Sequence, residues 1–347
     1  MTAPYPVQYR RGVLLPELGL WLDPRVRREL GVVSHAHGDH IARHGTVVCT
    51  EPTYRILAHR TRRGQLSANR STATKPSKSR ATAVIPRLLA YGEELAHRDA
   101  TLSLHSAGHV LGSAQVLVRH RDVRVLYSGD IKLRAGRTVA ALEHVEADVL
   151  IVESTFGRPH YRFPPVDSVL ESICDFCQDS VRNDRTPVLF GYSLGKGQEL
   201  LACLADAGLP LHLHPALYAI TELYRELGVD LPAAARYDGH VPAGSVLIWP
   251  PHLRDVPALG RLHNPRTAYI SGWAVDRDSV LHSGCDVAFA LSDHCDFDDL
   301  CTYVERSGAS QVYTLFGFAE DFAHQLRRRG LDAHALTTEQ QLTLALA

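Results

Sequence analysis

Short apolar runs that end in polar clusters recur along the first half of the chain. Runs of four to eight apolar residues bounded by turn residues are typical of β-strands. Such runs predict strands, each followed by polar residues, near 13–23, 31–33, 101–106, 123–127 and 149–152. Several strands therefore deliver polar groups to one edge of a sheet, which is where functional residues are commonly placed.

The pattern changes from about Asp167, where helical spacing begins to alternate with short strands. Apolar residues recur at helical spacing over 169–181, and further strands are predicted near 187–191, 211–214, 246–249 and 267–270. This alternation is typical of a parallel sheet, so we expect a second α/β unit. A strand from Val287 leads back to polar residues, and helices are predicted near 297–307 and 318–330.

Three histidines and an aspartate are concentrated in one loop, Ser34-His35-Ala36-His37-Gly38-Asp39-His40. Imidazole nitrogens and carboxylate oxygens are ligands that suit Zn²⁺. In an extended segment alternate residues point the same way, so His35, His37 and Asp39 share a face. Gly38 lets the chain turn toward His40. The loop therefore predicts a metal site, in which Asp39 and His40 reach a second ion beside the first.

Further polar residues lie where predicted strands end or turn. His109 lies in a turn of small residues between two strands, where its ring can reach across to a metal. Asp130 follows the apolar strand that ends at Tyr127, and Glu153 ends the next strand in the same way. These positions add one histidine and two carboxylates to the same sheet edge.

Composition and charge narrow the class of protein. The 347 residues suffice for two domains, and 45% hydrophobic with 22% charged residues is typical of a globular chain. A formal net charge of −1 excludes a globally basic nucleic-acid binder but allows a local basic groove. Seven cysteines, an odd number, do not resemble a secreted disulfide framework. With no signal peptide and no apolar run of about 20 residues, we expect a cytoplasmic protein that does not span a membrane.

A basic segment interrupts the first half of the chain. Between Glu51 and Glu93 there are nine Lys or Arg residues and no Asp or Glu, and most of them fall in the Ser/Thr/Pro-rich run 60–80. Such a run has few apolar groups to bury. Two interpretations stay open, a phosphate-contacting arm beside the metal site or a solvated loop.

The histidine loop resembles the HxHxDH signature of the metallo-β-lactamase superfamily. His109 in Ala-Gly-His-Val-Leu-Gly-Ser-Ala and Asp130 in Tyr-Ser-Gly-Asp resemble the third-histidine and bridging-aspartate motifs of that superfamily. The resemblance implies a tightly bound Zn²⁺, with Mn²⁺ as an alternative, held by His35, His37 and His109. It implies that Asp130 bridges to a second, weaker site made by Asp39 and His40.

Later motifs resemble the β-CASP nuclease branch, in which a cap domain is inserted into the metallo-β-lactamase fold. They are Glu153-Ser-Thr-Phe-Gly, Gly195-Lys196-x-Gln198-Glu199 and Ser292-Asp293-His294. Residues 156–162, 271–273 and 292–297 resemble the bacterial exonucleases associated with DNA ligase. The resemblance implies an α/β fold with a metallo-β-lactamase αββα sandwich from 1–166 and 287–347 and an α/β cap from 167–286.

The resemblance also implies roles outside the ligand set. Asp39 is expected to orient the nucleophile, and His294, braced by Glu153, is the candidate general acid for the leaving oxygen. Asp23, at the end of an early strand, is expected to orient the metal loop, with a plain turn aspartate as the alternative. The candidate contacts to a backbone phosphate are Lys196, Ser113 and Tyr192. For Lys196, a surface lysine near a helix start is the alternative.

One position departs from the branch pattern. Many β-CASP enzymes carry a late histidine that binds the second metal, and Phe316 stands at the matching position here. In the branch this histidine is typical of RNA-cleaving members and an apolar residue of several DNA-cleaving ones. We therefore expect a DNA exonuclease that hydrolyses phosphodiester bonds by a metal-activated hydroxide during repair. Its expected partners are single-stranded DNA or strand ends, together with a functionally associated DNA ligase.

Three alternatives stay open at this point. The nearest is an RNA-processing nuclease of the same branch, against which Phe316 weighs. A small-molecule hydrolase acting on thioesters or lactones shares the fold, although the cap motif at 195–199 weighs against it. The third is a binding scaffold with an inactive site, which metal analysis would reveal.

Overall fold

The computed structural model describes residues 5–62 and 84–336, so most of the predicted basic run 60–80 lies outside the described residues. The strands within these limits are β1 Gln8–Tyr9, β2 Val13–Leu15, β3 Leu20–Leu22, β4 Leu30–Val32, β5 Thr46–Cys49, β6 Ile85–Leu88, β7 Glu94–His97, β8 Ala100–Ser106, β9 Ala114–His120, β10 Val123–Tyr127, β11 Val149–Glu153, β12 Thr186–Phe190, β13 Leu211–Leu213, β14 Ala235–Arg236, β15 Val246–Trp249, β16 Pro265–Ile270, β17 Val287–Phe289, β18 Gln311–Leu315 and β19 Asp332–Ala335. The α-helices are α1 Glu51–Arg62, α2 Val166–Arg182, α3 Lys196–Cys203, α4 Pro215–Glu226, α5 Arg277–Ser283, α6 Phe297–Ser307 and α7 Ala319–Arg328.

The described strands form three sheets. The first has the order β1-β2-β3-β4-β5-β6, the second β19-β18-β11-β10-β9-β8-β7 and the third β14-β13-β15-β12-β16-β17. In the second sheet β10, β11, β18 and β19 are parallel neighbours, whereas β7 to β10 are antiparallel. The pairings of the third sheet are parallel, as the alternation of strands and helices predicts.

The first and second sheets share one apolar core, because alternate residues of each strand face the same side. Val116, Val125 and Ile151 of the second sheet lie in this core with Leu22 and Val32 of the first. The intervening residues of the strands in the second sheet point to its other face, where they pack against α6 and α7. Helix α1 packs on the outer face of the first sheet. The described part of the chain is therefore a mixed α/β protein built in layers.

The third sheet has its own core, formed largely with α2, α3 and α4. Strand β17 joins this sheet beside β16. The predicted domain boundary assigned residues from 287 onward to the other unit, so it separates β17 from the sheet with which it pairs. The sequence pattern did not show this, because a short apolar run does not indicate which sheet it extends. The rest of the domain assignment stays a prediction.

Helix α6 shows why the helices near the end of the described chain were predictable from sequence. The Asp296 side chain accepts a hydrogen bond from the Asp299 backbone N–H at 2.9 Å, which caps the first turn. Gly308 ends the helix in the left-handed region with φ +65°. Phe297, Leu300 and Val304 form its buried face. Among the described helices, none is long and apolar enough to cross a membrane.

Candidate metal centre

Loops at the ends of several strands meet in one buried cluster of imidazoles and a carboxylate. His35, His37 and His40 lie in the loop between β4 and β5. His109 lies in the turn between β8 and β9, and Asp130 follows β10. The two sheets that share the central core therefore contribute to the same cluster.

Four of the predicted metal ligands lie close together. One nitrogen or oxygen from each of His35, His37, His109 and Asp130 lies within 4.8 Å of all the others. Nε2 of His109 is 3.0 Å from Nδ1 of His37. Oδ2 of Asp130 is 3.4 Å from Nε2 of His35 and 3.8 Å from Nε2 of His109. The three imidazole ring centroids are 4.9 Å apart in each pair.

These residues fit a divalent metal ion with nitrogen and oxygen ligands. Tetrahedral ligation with bonds of about 2.0–2.1 Å separates ligand atoms by about 3.3–3.4 Å, which is close to the spacing in the cluster. Nε2 of His35 is buried and makes no hydrogen bond among the described residues, although Oδ2 of Asp130 lies 3.4 Å away. A buried nitrogen without a hydrogen bond is costly unless a ligand satisfies it, which favours metal binding over a packed polar loop.

Hydrogen bonds on the far side of each ring leave one nitrogen lone pair facing the cluster. Nδ1 of His109 donates to the backbone carbonyl of Asp293 at 2.7 Å, and Nε2 of His37 donates to the carbonyl of Leu194 at 3.3 Å. Nδ1 of His35 donates to the Ser34 hydroxyl at 2.9 Å. Such outer contacts fix the tautomer and the ring orientation of a metal ligand. Sequence reasoning missed the two carbonyls, because a backbone acceptor leaves no signal in the sequence.

Three residues of the cluster have pKa values shifted in the direction that favours metal binding. Burial and the neighbouring His35 lower the pKa of His37 to about 3. Burial and His294 hold the pKa of His109 well below its usual value. Burial opposes a charge on Asp130, but His40 and His35 hold its pKa well below the usual range. Two neutral imidazoles and an anionic carboxylate can therefore bind a cation without first losing protons.

Asp23 connects the metal loop to two strands. Its Oδ1 accepts the Ser34 backbone N–H at 2.7 Å. Its Oδ2 accepts the Ser34 hydroxyl at 2.5 Å, His40 Nδ1 at 2.8 Å and the Tyr127 hydroxyl at 2.8 Å. Asp23 is only 3% exposed, so these contacts hold the loop from inside the protein. Sequence reasoning missed the role of Tyr127. The one signal for it is that an aromatic residue with a polar hydroxyl stands at the end of a buried strand.

Fewer ligands gather at the predicted second metal position. Nε2 of His40 is 3.4 Å from Oδ2 of Asp130 and 3.8 Å from Oδ2 of Asp39. The Asp39 side chain is 62% exposed. Asp39 belongs to none of the close ligand groups found among the described residues. The ring of Phe316 has its centroid 5.2 Å from that of His40, so a side chain without a ligand atom occupies this side of the position.

His294 lies at the rim of the cluster with Glu153 behind it. Nδ1 of His294 is 2.9 Å from Oε1 of Glu153, and the two imidazole centroids of His294 and His109 are 4.6 Å apart. Glu153 is 1% exposed and also accepts the backbone N–H groups of Ile131 and Thr155. Burial opposes a charge on His294, but Glu153 raises its pKa to about 9. An imidazolium at this position can donate a proton to a group in the cluster.

Lys196 has a different environment from the one predicted for it. Its Nζ donates to the backbone carbonyl of Leu291 at 2.8 Å and lies 3.1 Å from Oδ2 of Asp293. The residue is 3% exposed. The ammonium group is already paired inside the protein, which weighs against a phosphate contact, and that contact stays a prediction. The surface-lysine alternative is wrong for the same reason.

Ser113 also faces the interior. Its hydroxyl oxygen accepts the backbone N–H groups of His109 and Val110, each at 3.1 Å, and the residue is 2% exposed. Ser113 shapes the turn that presents His109, which weighs against the predicted phosphate contact, and that contact stays a prediction. Tyr192, at 53% exposure, remains available to a substrate.

Comparisons with known proteins add an independent line of inference. No protein-family model matches the chain. A protein named "Probable DNA ligase" from Opitutus terrae is 41% identical over 345 residues, which is 99% of this chain and 32% of that protein. An "RNase J-like protein" from Methanocaldococcus jannaschii is 28% identical over 207 residues, covering 56% of this chain and 49% of that protein. The chain thus spans about a third of the first relative's length and about half of the second's.

A solved structure shares the fold. A protein of unknown function from Enterococcus faecalis V583 aligns with a TM-score of 0.53 at 14% identity, covering 84% of this chain and 76% of that one. The similarity in sequence to the ligase-named protein covers 99% of this chain and so includes the clustered residues. The chain belongs to the β-CASP branch of the metallo-β-lactamase superfamily.

Proposed function

We propose that this protein is a metal-dependent exonuclease that hydrolyses phosphodiester bonds at DNA ends. The observation that supports it most is the buried cluster of His35, His37, His109 and Asp130, with its unpaired nitrogen on His35. Zn²⁺ or Mn²⁺ held there supplies Lewis acidity, which neutralises phosphate charge and lowers the pKa of water. The proposed fold is an αββα sandwich carrying an α/β cap that begins near residue 167 and includes β17, which pairs with β16.

The protein's own groups have distinct proposed tasks. His35, His37 and His109 present their lone pairs to the cation, held by their outer hydrogen bonds. Glu153 accepts the Nδ1 proton of His294, so that Nε2 can carry the proton that the leaving oxygen needs. Asp39, exposed beside His40, is the proposed group that orients the nucleophile.

Two observations favour DNA over RNA. Phe316 occupies the position where RNA-cleaving members of the branch carry a histidine, and its ring packs on His40 instead of offering a ligand. The relative that matches 99% of this chain is named a probable DNA ligase, which fits a role in repair beside a ligase. The name of the RNase J-like relative keeps RNA as the second candidate substrate.

The test uses the full chain with Zn²⁺ or Mn²⁺ and single strands of DNA and RNA of matched sequence, each labelled at one end or the other. We expect stepwise shortening of the DNA alone, and the label that disappears first gives the direction of digestion. Internal cleavage of the RNA would support the RNA-processing alternative. Turnover of a thioester without cleavage of either nucleic acid would support a small-molecule hydrolase.

Substitution of Phe316 by histidine tests the second metal position. We expect Phe316→His to bind more metal per chain than the unchanged protein, because it adds a nitrogen beside His40 and Asp130. Phe316 has φ +64°, a region in which histidine is found more readily than bulky aromatic residues. Metal content after dialysis against Zn²⁺ gives the result, with Phe316→Leu as the matched control. Equal metal content in the two variants would contradict the prediction that the second metal position lies beside residue 316.

A further inference from the structure

We propose that a pocket in the third sheet binds an unpaired nucleobase together with its phosphate. This inference rests on the proposed function and deepens it, because it specifies a single-stranded end as the substrate. The pocket is lined by Tyr192, His252, Arg254, Tyr269, Trp273 and His282, together with smaller residues. Its cavity volume is about 370 Å³. That size lies within the range of about 300–1,000 Å³ that is typical of small-molecule sites.

The pocket lies at the edge where parallel strands end. Strands β15, β12 and β16 are adjacent and parallel, and each is followed by a segment that lines the pocket. Tyr192 comes shortly after β12, His252 and Arg254 come after β15, and Trp273 comes after β16. Open α/β sheets bind ligands in the crevice outside the carboxyl ends of their strands. The position alone therefore favours a ligand site over an incidental surface depression.

Aromatic faces supply the first element of recognition. Tyr192 is 53% exposed, although a large aromatic side chain gains free energy when it is covered. Trp273 is held in place from behind by Phe156, with ring centroids 4.7 Å apart. Tyr269 completes the set on β16. Aromatic rings around an open pocket offer a stacking platform for a base, and such stacking tolerates any base because every base has a π-face.

Cationic groups supply the second element. Arg254, His252 and His282 line the same pocket, and none of the described residues that line it is acidic. Arg254 donates to the Ser283 carbonyl at 2.8 Å, which holds the guanidinium at the pocket. The nearby Asp255 is 3.7 Å away, but its side chain is 93% exposed to water and so neutralises little of this charge. An aromatic pocket with a positive rim matches a base that carries a phosphate.

The pocket is connected to the metal cluster on two sides. Tyr192 is two residues before Leu194, whose carbonyl accepts the hydrogen bond from His37. On the other side Trp273 packs on Phe156, whose ring centroid is 6.3 Å from that of His294. A strand with one base in the pocket would thus hold a neighbouring phosphodiester near the cluster. A base stacked inside a duplex cannot enter, because its faces and its pairing edge are already occupied.

The experiment measures binding of deoxyadenosine monophosphate, which contains no phosphodiester and therefore is not consumed. Binding to the Zn²⁺-loaded full chain is followed by tryptophan fluorescence, with deoxyadenosine and inorganic phosphate as partial probes. We expect quenching that is absent in Trp273→Phe. Tyr192→Ser and Arg254→Gln should each weaken binding about tenfold, in the range measured for base stacking and for charged contacts. The matched control is Arg261→Gln, which removes an exposed arginine outside the pocket.

The outcomes separate this inference from the proposed function. Affinity that falls only in His37→Ala would overturn the pocket, because the phosphate would then bind at the metal cluster. Unchanged affinity in both pocket variants, with DNA still shortened, would overturn the pocket and leave the nuclease proposal standing. Pocket-dependent binding without any shortening of DNA would support the pocket and overturn the nuclease proposal.

Discussion

His37→Ala is expected to lower the rate of DNA cleavage by about a thousandfold or more, since metal ions contribute several kcal/mol to such reactions. The substitution removes one of the three nitrogens around which the cluster is built. It also removes the donor to the Leu194 carbonyl, which orients the ring. The imidazole is neutral in the cluster because its pKa is lowered to about 3, so its loss leaves no unpaired charge behind. The fold should therefore survive the substitution.

Three measurements check this prediction together. Metal content per chain should fall, the initial rate on end-labelled DNA should fall, and the melting temperature of the metal-free protein should change little. His144→Ala provides the control, because His144 is an exposed histidine outside the close ligand groups of the described residues. Cleavage that survives in His37→Ala at the unchanged rate would refute the assignment of the metal centre.

The sequence predicted the polar groups that form the cluster because their signals are local, whereas the family resemblance indicated that His109 and Asp130 join the histidine loop. Three histidines in one short loop and a carboxylate at a strand end are visible without knowing the fold. The period of the apolar residues likewise predicted helix α6, whose observed bounds Phe297–Ser307 match the predicted ones. Where a pattern within about a dozen residues decides the outcome, sequence reasoning was sufficient.

The sequence did not predict features that depend on contacts between distant segments. Lys196 near a helix start resembles a surface lysine, and only the fold brings it to the Leu291 carbonyl, 95 residues away in sequence. The aromatic pocket is likewise assembled from segments after three different strands. The side-chain period of β17 did not identify its partner strand. Each of these outcomes is decided by tertiary packing, which overrides local preference.

The segment after β12 and the histidine cluster are linked more directly than the sequence motifs suggest. The Leu194 carbonyl orients His37 and the Asp293 carbonyl orients His109. Lys196 of α3 in turn binds Asp293 at 3.1 Å. The segment that follows β12 thus contacts the His37 ring directly. It also contacts Asp293, which in turn orients His109. A change in the position of this segment should change ligand orientation, because outer contacts tune metal sites.

His294→Ala is expected to slow DNA cleavage by about 10²- to 10⁴-fold, the usual contribution of a general acid. The alkoxide that leaves a nucleotide is a strong base and needs a proton as the bond breaks. A thymidine 5′-phosphate ester of p-nitrophenol releases a weak base, which needs no such help. The variant should therefore cleave this ester at nearly the unchanged rate. Equal losses on both substrates, or a loss of bound metal, would show that His294 acts as a ligand or a structural group instead.

Glu153→Gln extends the same test to the pH profile. Glu153 raises the pKa of His294 to about 9, against the opposing effect of burial. Without the carboxylate that pKa should fall, so less imidazolium remains at neutral pH. The alkaline limb of the DNA-cleavage profile should then move to lower pH, while the profile for the p-nitrophenyl ester should stay in place. An alkaline limb that does not move in Glu153→Gln would mean that another group donates the proton.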